Sequence, residues 1–166
     1  MIATEVVGNF GEYLVCKWLC HTGFDVSIVD HTGMDIVAYY PPTEQRLGIT
    51  VKSRLRTDGA TTEGVYVFRE AKEDRRKLLE ACKAFGCEPW IAVYVEHGDG
   101  ADLFLTSLDN YDGKYRSTEK RAIDVWGMTQ KHIVAYEKDS EVRYIHMDFR
   151  RHHWWQPRAM AAATTQ

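Results

Sequence analysis

Two stretches near the N-terminus, MDIVAYY (residues 34–40) and LGITVKSR (residues 47–54), are separated by PPTEQR. Both read as strands, rich in β-branched and aromatic residues with Gly or Pro at their margins. Pro41 and Pro42 end the first, and the polar link returns the chain as a hairpin with a longish connection. The pair constrains the fold because it carries charges where a core is expected. Asp35 sits at the start of one strand and Lys52 near the end of the other. Side chains alternate along a strand, so Thr50 and Lys52 share one face while Ile49 and Val51 share the other. With the apolar pair in the core, Lys52 points where Asp35 from the adjacent strand can also point.

The remaining elements follow from periodicity. Residues 4–21 predict a helix stopped by Gly23, with Val7, Phe10, Leu14, Val15, Trp18 and Leu19 as its apolar stripe. Glu12 lies about 100° from the middle of that stripe, at the flank of the buried face. Residues 24–30 read as a strand, and TDGATTEG (57–64) as a loop. An amphipathic helix spans 70–86, with Ala71, Leu78, Leu79, Cys82 and Phe85 expected inward. Strands at 89–96 and 101–108 bracket HGDG, and a strand at 121–126, a helix at 129–139 capped by Thr129, and a strand at 141–149 complete the order. Hairpins mixed with crossovers indicate an α/β domain with a mixed sheet. We expect one domain over residues 1–150, with a core at about 4–106 and a strand–helix–strand extension at about 119–150. The tail, 151–166, is expected to be partly disordered.

Composition sets the class. With 166 residues, 45% of them apolar and 12% aromatic, the chain can bury a sizeable core. No stretch approaches the length of a membrane span and no basic-then-apolar leader opens the chain, so a cytoplasmic location is expected. Cys16, Cys20, Cys82 and Cys87 lack C-x-x-C spacing and are expected to be reduced, largely buried thiols. The net charge of −3 excludes a globally basic coat. Charge is nevertheless uneven: residues 45–57 hold Arg46, Lys52, Arg54 and Arg56 with no acid, whereas 96–112 hold five acids and no Lys or Arg. A local positive stripe suits a grip on a polyanion, and solvated loops of opposite sign suit the same pattern.

Two carboxylates, Asp35 and Glu12, converging with Lys52 on one cleft are what metal-assisted phosphodiester hydrolysis needs. Carboxylates hold Mg²⁺, which polarises the phosphate and acidifies a bound water. A lysine beside it orients that water or balances the developing charge. Taken singly, each residue has a structural reading: a turn aspartate, a lysine reaching solvent, a surface glutamate.

The order "GE" on a helix, "GMD" opening a strand, "KSR" closing the next, then a helix running into AFGCEPWIAVYV resembles the PD-(D/E)XK nuclease superfamily, nearest to its archaeal Holliday-junction resolvase branch. The resemblance covers about Val7 to Leu105. It implies a restriction-endonuclease-like three-layer fold, with a central mixed β-sheet flanked by helices. It also implies a Mg²⁺-dependent (or Mn²⁺-dependent) DNA endonuclease acting as a homodimer, with no nucleotide cofactor and no membrane. By this resemblance Glu12 and Asp35 are metal ligands, the Val51 carbonyl is a further ligand and Lys52 is the catalytic lysine. Ser53 and Arg54 lie along the nucleic-acid backbone, and Arg56 is expected to steer it as well. The sequence departs from the pattern at Thr50, where an acid belongs. Either Glu70, Glu73 or Glu63 substitutes, or Thr50 holds the metal through water, or the site is degenerate and the protein is a nucleic-acid-binding or dimeric scaffold module.

Other features carry less. RRHHWWQPR (150–158) is expected to pack its indoles on the domain or on a partner, stacking on bases being the other reading. His146, His152 and His153 are not expected to form a zinc site. The interleaved charges of residues 69–80 read as a solvated helix face. No G-x-S-x-G or Gly-rich phosphate loop supports a serine hydrolase or an ATP-using enzyme.

Overall fold

The computed structural model describes residues 2–56, 63–97, 100–117 and 123–149. Helix α1 (Ile2–His21) leads into β1 (Asp25–His31), β2 (Met34–Tyr40) and β3 (Gln45–Arg56). Then come β4 (Val65–Phe68), α2 (Ala71–Phe85), β5 (Glu88–His97) and β6 (Gly100–Ser107). A single turn, α3 (Leu108–Asn110), runs into a π-helical turn (Tyr111–Tyr115), followed by β7 (Asp124–Trp126), α4 (Gln130–Lys138) and β8 (Arg143–Asp148). Six strands form one mixed sheet in the order β1-β2-β3-β5-β6-β8, and β4 pairs with β7 in a second, small sheet. Only β3 and β5 run parallel within the large sheet. A parallel pair needs a crossover, and β4 with α2 supplies it.

The two faces of the sheet bury different sets of residues. One packs Leu14, Val15 and Leu19 of α1 on Ile36, Ile49, Val51 and Tyr94. The other packs Leu78, Ala81 and Cys82 of α2, together with Val65, Val67, Phe68 and Trp126, on Ile91, Val93, Val95 and Phe104. Helices therefore lie on both sides of a mixed sheet, as expected. The last strand among the described residues, β8, is a full member of this sheet, hydrogen-bonded along β6.

Several local expectations are corrected. Leu79 and Phe85 are exposed: Leu79 falls on the flank of α2, and Phe85, at its last position, sets its ring edge against His31. Phe10 is also largely exposed, with its ring tilted against Tyr94 at 5.6 Å. Thr129 stands at the start of α4, but its hydroxyl contacts His132 Nδ1 at 2.7 Å rather than capping a backbone amide. Of the four thiols only Cys82 is fully buried, and burial pushes it up to about 11. Arg76 and Lys77 do form the expected surface pairs with Glu73 and Glu80. Arg75 instead turns inward, bonding Asp112 and Asp124 and tying α2 to the π-helical turn and β7.

Helix α2 packs closely on Gly48 of β3. A Cβ there would sit 2.5 Å from Cys82 Sγ and 3.2 Å from Cys87 Cβ, so only glycine admits the helix at this distance. Gly48→Ala is therefore expected to cost about 1–3 kcal/mol. Adding Cys82→Ala to it should recover part of that loss, giving a coupling of roughly 0.5 kcal/mol or more in a urea-denaturation double-mutant cycle.

Candidate active site

The site begins where β2 stops accompanying β3. Their pairing ends at Ile36↔Ile49, yet β3 continues to Arg56 on β5. Residue 51 turns its amide toward the edge β2 has vacated, and Asp35 meets it: the Val51 N–H donates to Asp35 Oδ2 at 2.6 Å. The Thr50 hydroxyl donates to the same oxygen at 3.1 Å. Asp35 Oδ1 is left without a hydrogen bond among the described residues. A strand residue projects its N–H and C=O from the same edge, so the Val51 carbonyl faces the side on which Asp35 lies.

Helix α1 reaches this gap from the other face. Gly11 allows it: a Cβ there would lie 2.2 Å from Ser53 Oγ and 3.3 Å from Tyr94 Cβ. The Ser53 hydroxyl in turn donates to the Gly8 carbonyl at 3.4 Å. The helix is thereby held against β3, and Glu12, the next residue, is brought within electrostatic range of Asp35 and Lys52. Partial burial raises the Glu12 pKa above its ordinary value; the negative charge of Asp35 raises it further, and Lys52 opposes both. The three charged side chains singled out from the sequence thus interact.

Lys52 lines a cleft of about 350 Å³ with Tyr66, Arg69, Glu70, Asp74 and Lys77. A larger cavity, about 1130 Å³, lies elsewhere, around Gln45, Glu88, Trp90 and Arg143, and includes none of the site residues. Gln45 opens β3, seven residues before Lys52, roughly 23 Å along the strand. Of Glu12, Asp35 and Lys52, only Lys52 lines the smaller cleft.

The acids considered as replacements for the one missing at position 50 fall in different places. Glu63 pairs with Arg56, and Glu73 with Arg76 and Lys77. Glu70 shares the cleft with Lys52, and its carboxylate makes no ion pair or hydrogen bond among the described residues. Neighbouring Asp74 accepts from the backbone amides of Arg69 and Glu70 at 3.0 and 3.1 Å. Among the described residues, no three or more His, Cys, Asp or Glu side chains are grouped to hold a metal ion. The hard-oxygen donors at the gap are the carboxylates of Glu12 and Asp35 with the Val51 carbonyl, a set that suits Mg²⁺, which is often bound through one or two carboxylates with water completing its shell.

The outer residues of β3 divide. Arg54 is half-buried on the Lys52 face. Arg56, expected to steer a nucleic-acid backbone, is instead buried, its guanidinium bonded to the Glu63 carbonyl and paired with that residue's carboxylate. Ser53 faces α1 rather than the cleft.

Reading the sequence missed a second polar cluster. Buried Asp102 accepts from the Tyr144 hydroxyl at 2.8 Å and contacts His97 Nε2 at 2.9 Å and His146 Nδ1 at 2.8 Å. An aspartate inside the apolar run ADLFL was its visible signal, but its partners come from β5 and β8. His152 and His153 lie outside the described residues.

No protein-family model matches this sequence, and no curated protein matches it significantly. Among solved structures, the chain is similar to Hjc of Archaeoglobus fulgidus, a Holliday junction resolvase from an archaeal hyperthermophile. The TM-score is 0.51 at 16% identity, covering 77% of this chain and 88% of that one. At that identity the likeness shows the fold, a nuclease-like α/β arrangement with a central mixed sheet flanked by helices. No helix among the described residues is long and apolar enough to cross a membrane.

The raised Glu12 pKa has a thermodynamic sign. The folded state holds that proton more tightly than the unfolded chain, so ionised Glu12 opposes folding at neutral pH, and the opposition fades as pH falls toward about 4.5. Glu12→Gln should therefore be slightly more stable than the parent chain at neutral pH, with the difference closing by about pH 4.5. Thermal melts across that range, recorded without divalent cations, measure it.

Proposed function

We propose that the chain is a Mg²⁺-dependent DNA endonuclease acting on branched or duplex DNA, with Mn²⁺ able to replace Mg²⁺. The observation that carries this reading is the electrostatic coupling of Glu12 with Asp35 and Lys52 at the open edge of β3. Two carboxylates within electrostatic range of each other, one of them held from ionising first by burial and then by its neighbour's charge, favour a cation. Glu12, Asp35 and the Val51 carbonyl would hold the metal, which when bound polarises the scissile phosphate and acidifies a water. Thr50 fixes the Asp35 carboxylate through its hydroxyl and would hold a metal-bound water. Lys52 orients the attacking water and balances charge building on the phosphate. Arg54, with Arg69 and Lys77 around the cleft, attracts the backbone. Ser53 acts on the same backbone indirectly, by holding α1 in place. A homodimer would present two such sites to two strands, and the similarity to a Holliday junction resolvase fits a branched substrate.

Thr50 supports a second reading, in which the fold binds nucleic acid as a scaffold without cutting it. One assay separates the two. Incubation with plasmid or four-way-junction DNA and Mg²⁺ or Mn²⁺ should yield cleavage that falls by about 10²-fold or more in Lys52→Ala. Absence of cleavage in the parent chain, with its appearance in Thr50→Glu, would establish the scaffold reading instead.

A further inference from the structure

The cleft that Lys52 lines holds an aromatic side chain for which hydrolysis has no use. Side chains alternate along β4, so Val65 and Val67 are buried while Tyr66 between them stays 45% exposed. Tyr66 stands in the cleft of about 350 Å³, beside Lys52 of β3, Arg69 and Glu70 of the link into α2, and Asp74 and Lys77 of α2. The guanidinium of Arg69 lies over the Tyr66 ring, 6.0 Å from its centre. The cleft also borders the gap that holds Asp35. The turn leading into β2 packs on α2 at Gly33, where a Cβ would lie 2.5 Å from the Lys77 carbonyl oxygen. The backbone of Lys77 therefore meets the chain two residues before Asp35. Of the two carboxylates in the lining, Asp74 is already committed, accepting from the amides of Arg69 and Glu70. What remains open is an aromatic ring among three cations brought by three different segments.

We propose that this cleft is a nucleotide subsite, in which Tyr66 stacks on one unpaired base while Arg69 and Lys77 hold the phosphates flanking the one presented to Lys52. Inside a duplex each base is covered on both faces by its neighbours, so a ring fixed on the protein stacks only on a base that has left the helix. Stacking tolerates any base, and the cations supply a salt-dependent grip. The cleft's volume, about 350 Å³, lies at the lower end of small-ligand sites, room for a single nucleotide. Trp154 and Trp155, considered from the sequence for base stacking, lie outside the described residues. The inference rests on the proposed nuclease reading and names the feature of the substrate that the site engages: an unpaired nucleotide beside the cut, as at a branch or an end.

Fluorescence anisotropy without divalent cations, using labelled single-stranded and fully paired oligonucleotides over a salt series, tests it in the full chain and its variants. Tyr66→Ala should weaken single-strand binding about tenfold or more and duplex binding less, with an unchanged log–log salt slope. Tyr66→Phe should bind as the parent chain does, because the ring rather than the hydroxyl makes the contact. Lys77→Ala should instead lower the single-strand slope by about 0.7. Thermal melts check that each variant is folded, and Tyr66→Leu, which keeps apolar bulk without the ring, takes the place of Tyr66→Ala where alanine perturbs the fold. Single-strand affinity unchanged by loss of the ring would overturn the proposal, and cleavage that still depends on Lys52 would leave the nuclease reading standing. A lower melting temperature with unchanged affinity would overturn it too, assigning the ring to packing under Arg69. Equal losses for single strand and duplex, or a loss shared by Tyr66→Phe, would likewise replace base stacking with a backbone or hydroxyl contact. A parent chain that binds no nucleic acid would remove both this inference and the nuclease reading beneath it.

Discussion

The carboxylate of Asp35 does for Val51 what a neighbouring strand would otherwise do. Beyond Ile49 the edge of β3 is no longer paired with β2, and a buried amide without a partner costs about 1–3 kcal/mol. Asp35 answers that amide with a charged acceptor at 2.6 Å and takes the Thr50 hydroxyl on the same oxygen. This bond lets β3 run on past β2 with only β5 beside it, and that one-sided stretch is where Lys52 and Arg54 are carried. Had β2 continued, its backbone would fill the gap through which Glu12 makes itself felt. A turn-and-strand detail thus creates both the opening and the charge inside it.

Two helices hold that stretch from opposite faces. On one side α2 packs at Gly48; on the other α1 closes at Gly11 and Ser53. A side chain at either glycine would force a helix away from the strand. These contacts flank residues 50–52, so Thr50 and Lys52 ride on a stretch of strand held from both faces. Charged groups meant to meet a substrate in a fixed geometry need such support, because small displacements weaken electrostatic action. Arg75, bridging to Asp112 and Asp124, braces the outer layer that forms the far wall of the cleft.

What the sequence made legible was local. The β2–β3 hairpin, the alternation that sorts Ile49 and Val51 from Thr50 and Lys52, and the flank position of Glu12 all follow from period and turn chemistry. What stayed hidden depends on partners distant in the chain. Strand β4 is four residues long and pairs only with β7, more than fifty residues away, so no periodic signal marks it. The π-helical turn at Tyr111–Tyr115 carries no periodic signal because its apolar residues serve a cluster built from Trp126 and Tyr136. Arg75 looks like its neighbours Arg76 and Lys77 until Asp124 is folded against it. Arg56 looks like Arg54 until Glu63 comes back over it. In each case the residue type was visible and its burial was not.

Position 50 is better understood as a choice between two electrostatic states than as a missing ligand. With threonine there, the gap holds Glu12, Asp35 and Lys52, a net charge of −1 when all are ionised. An acid in its place would make −2 and would sit against Asp35, whose Oδ2 already receives the Thr50 hydroxyl. The added repulsion would raise the Glu12 pKa further and disturb the very carboxylate that caps Val51. A site with three acids binds a divalent cation more strongly but folds less well without one. Thr50 takes the other side of that balance: it donates where an acid would repel, holds Asp35 in place, and would leave the binding of a cation to two carboxylates and a carbonyl. The 3.1 Å hydrogen bond of the hydroxyl therefore favours the metal-free fold, where a third carboxylate would favour a divalent cation.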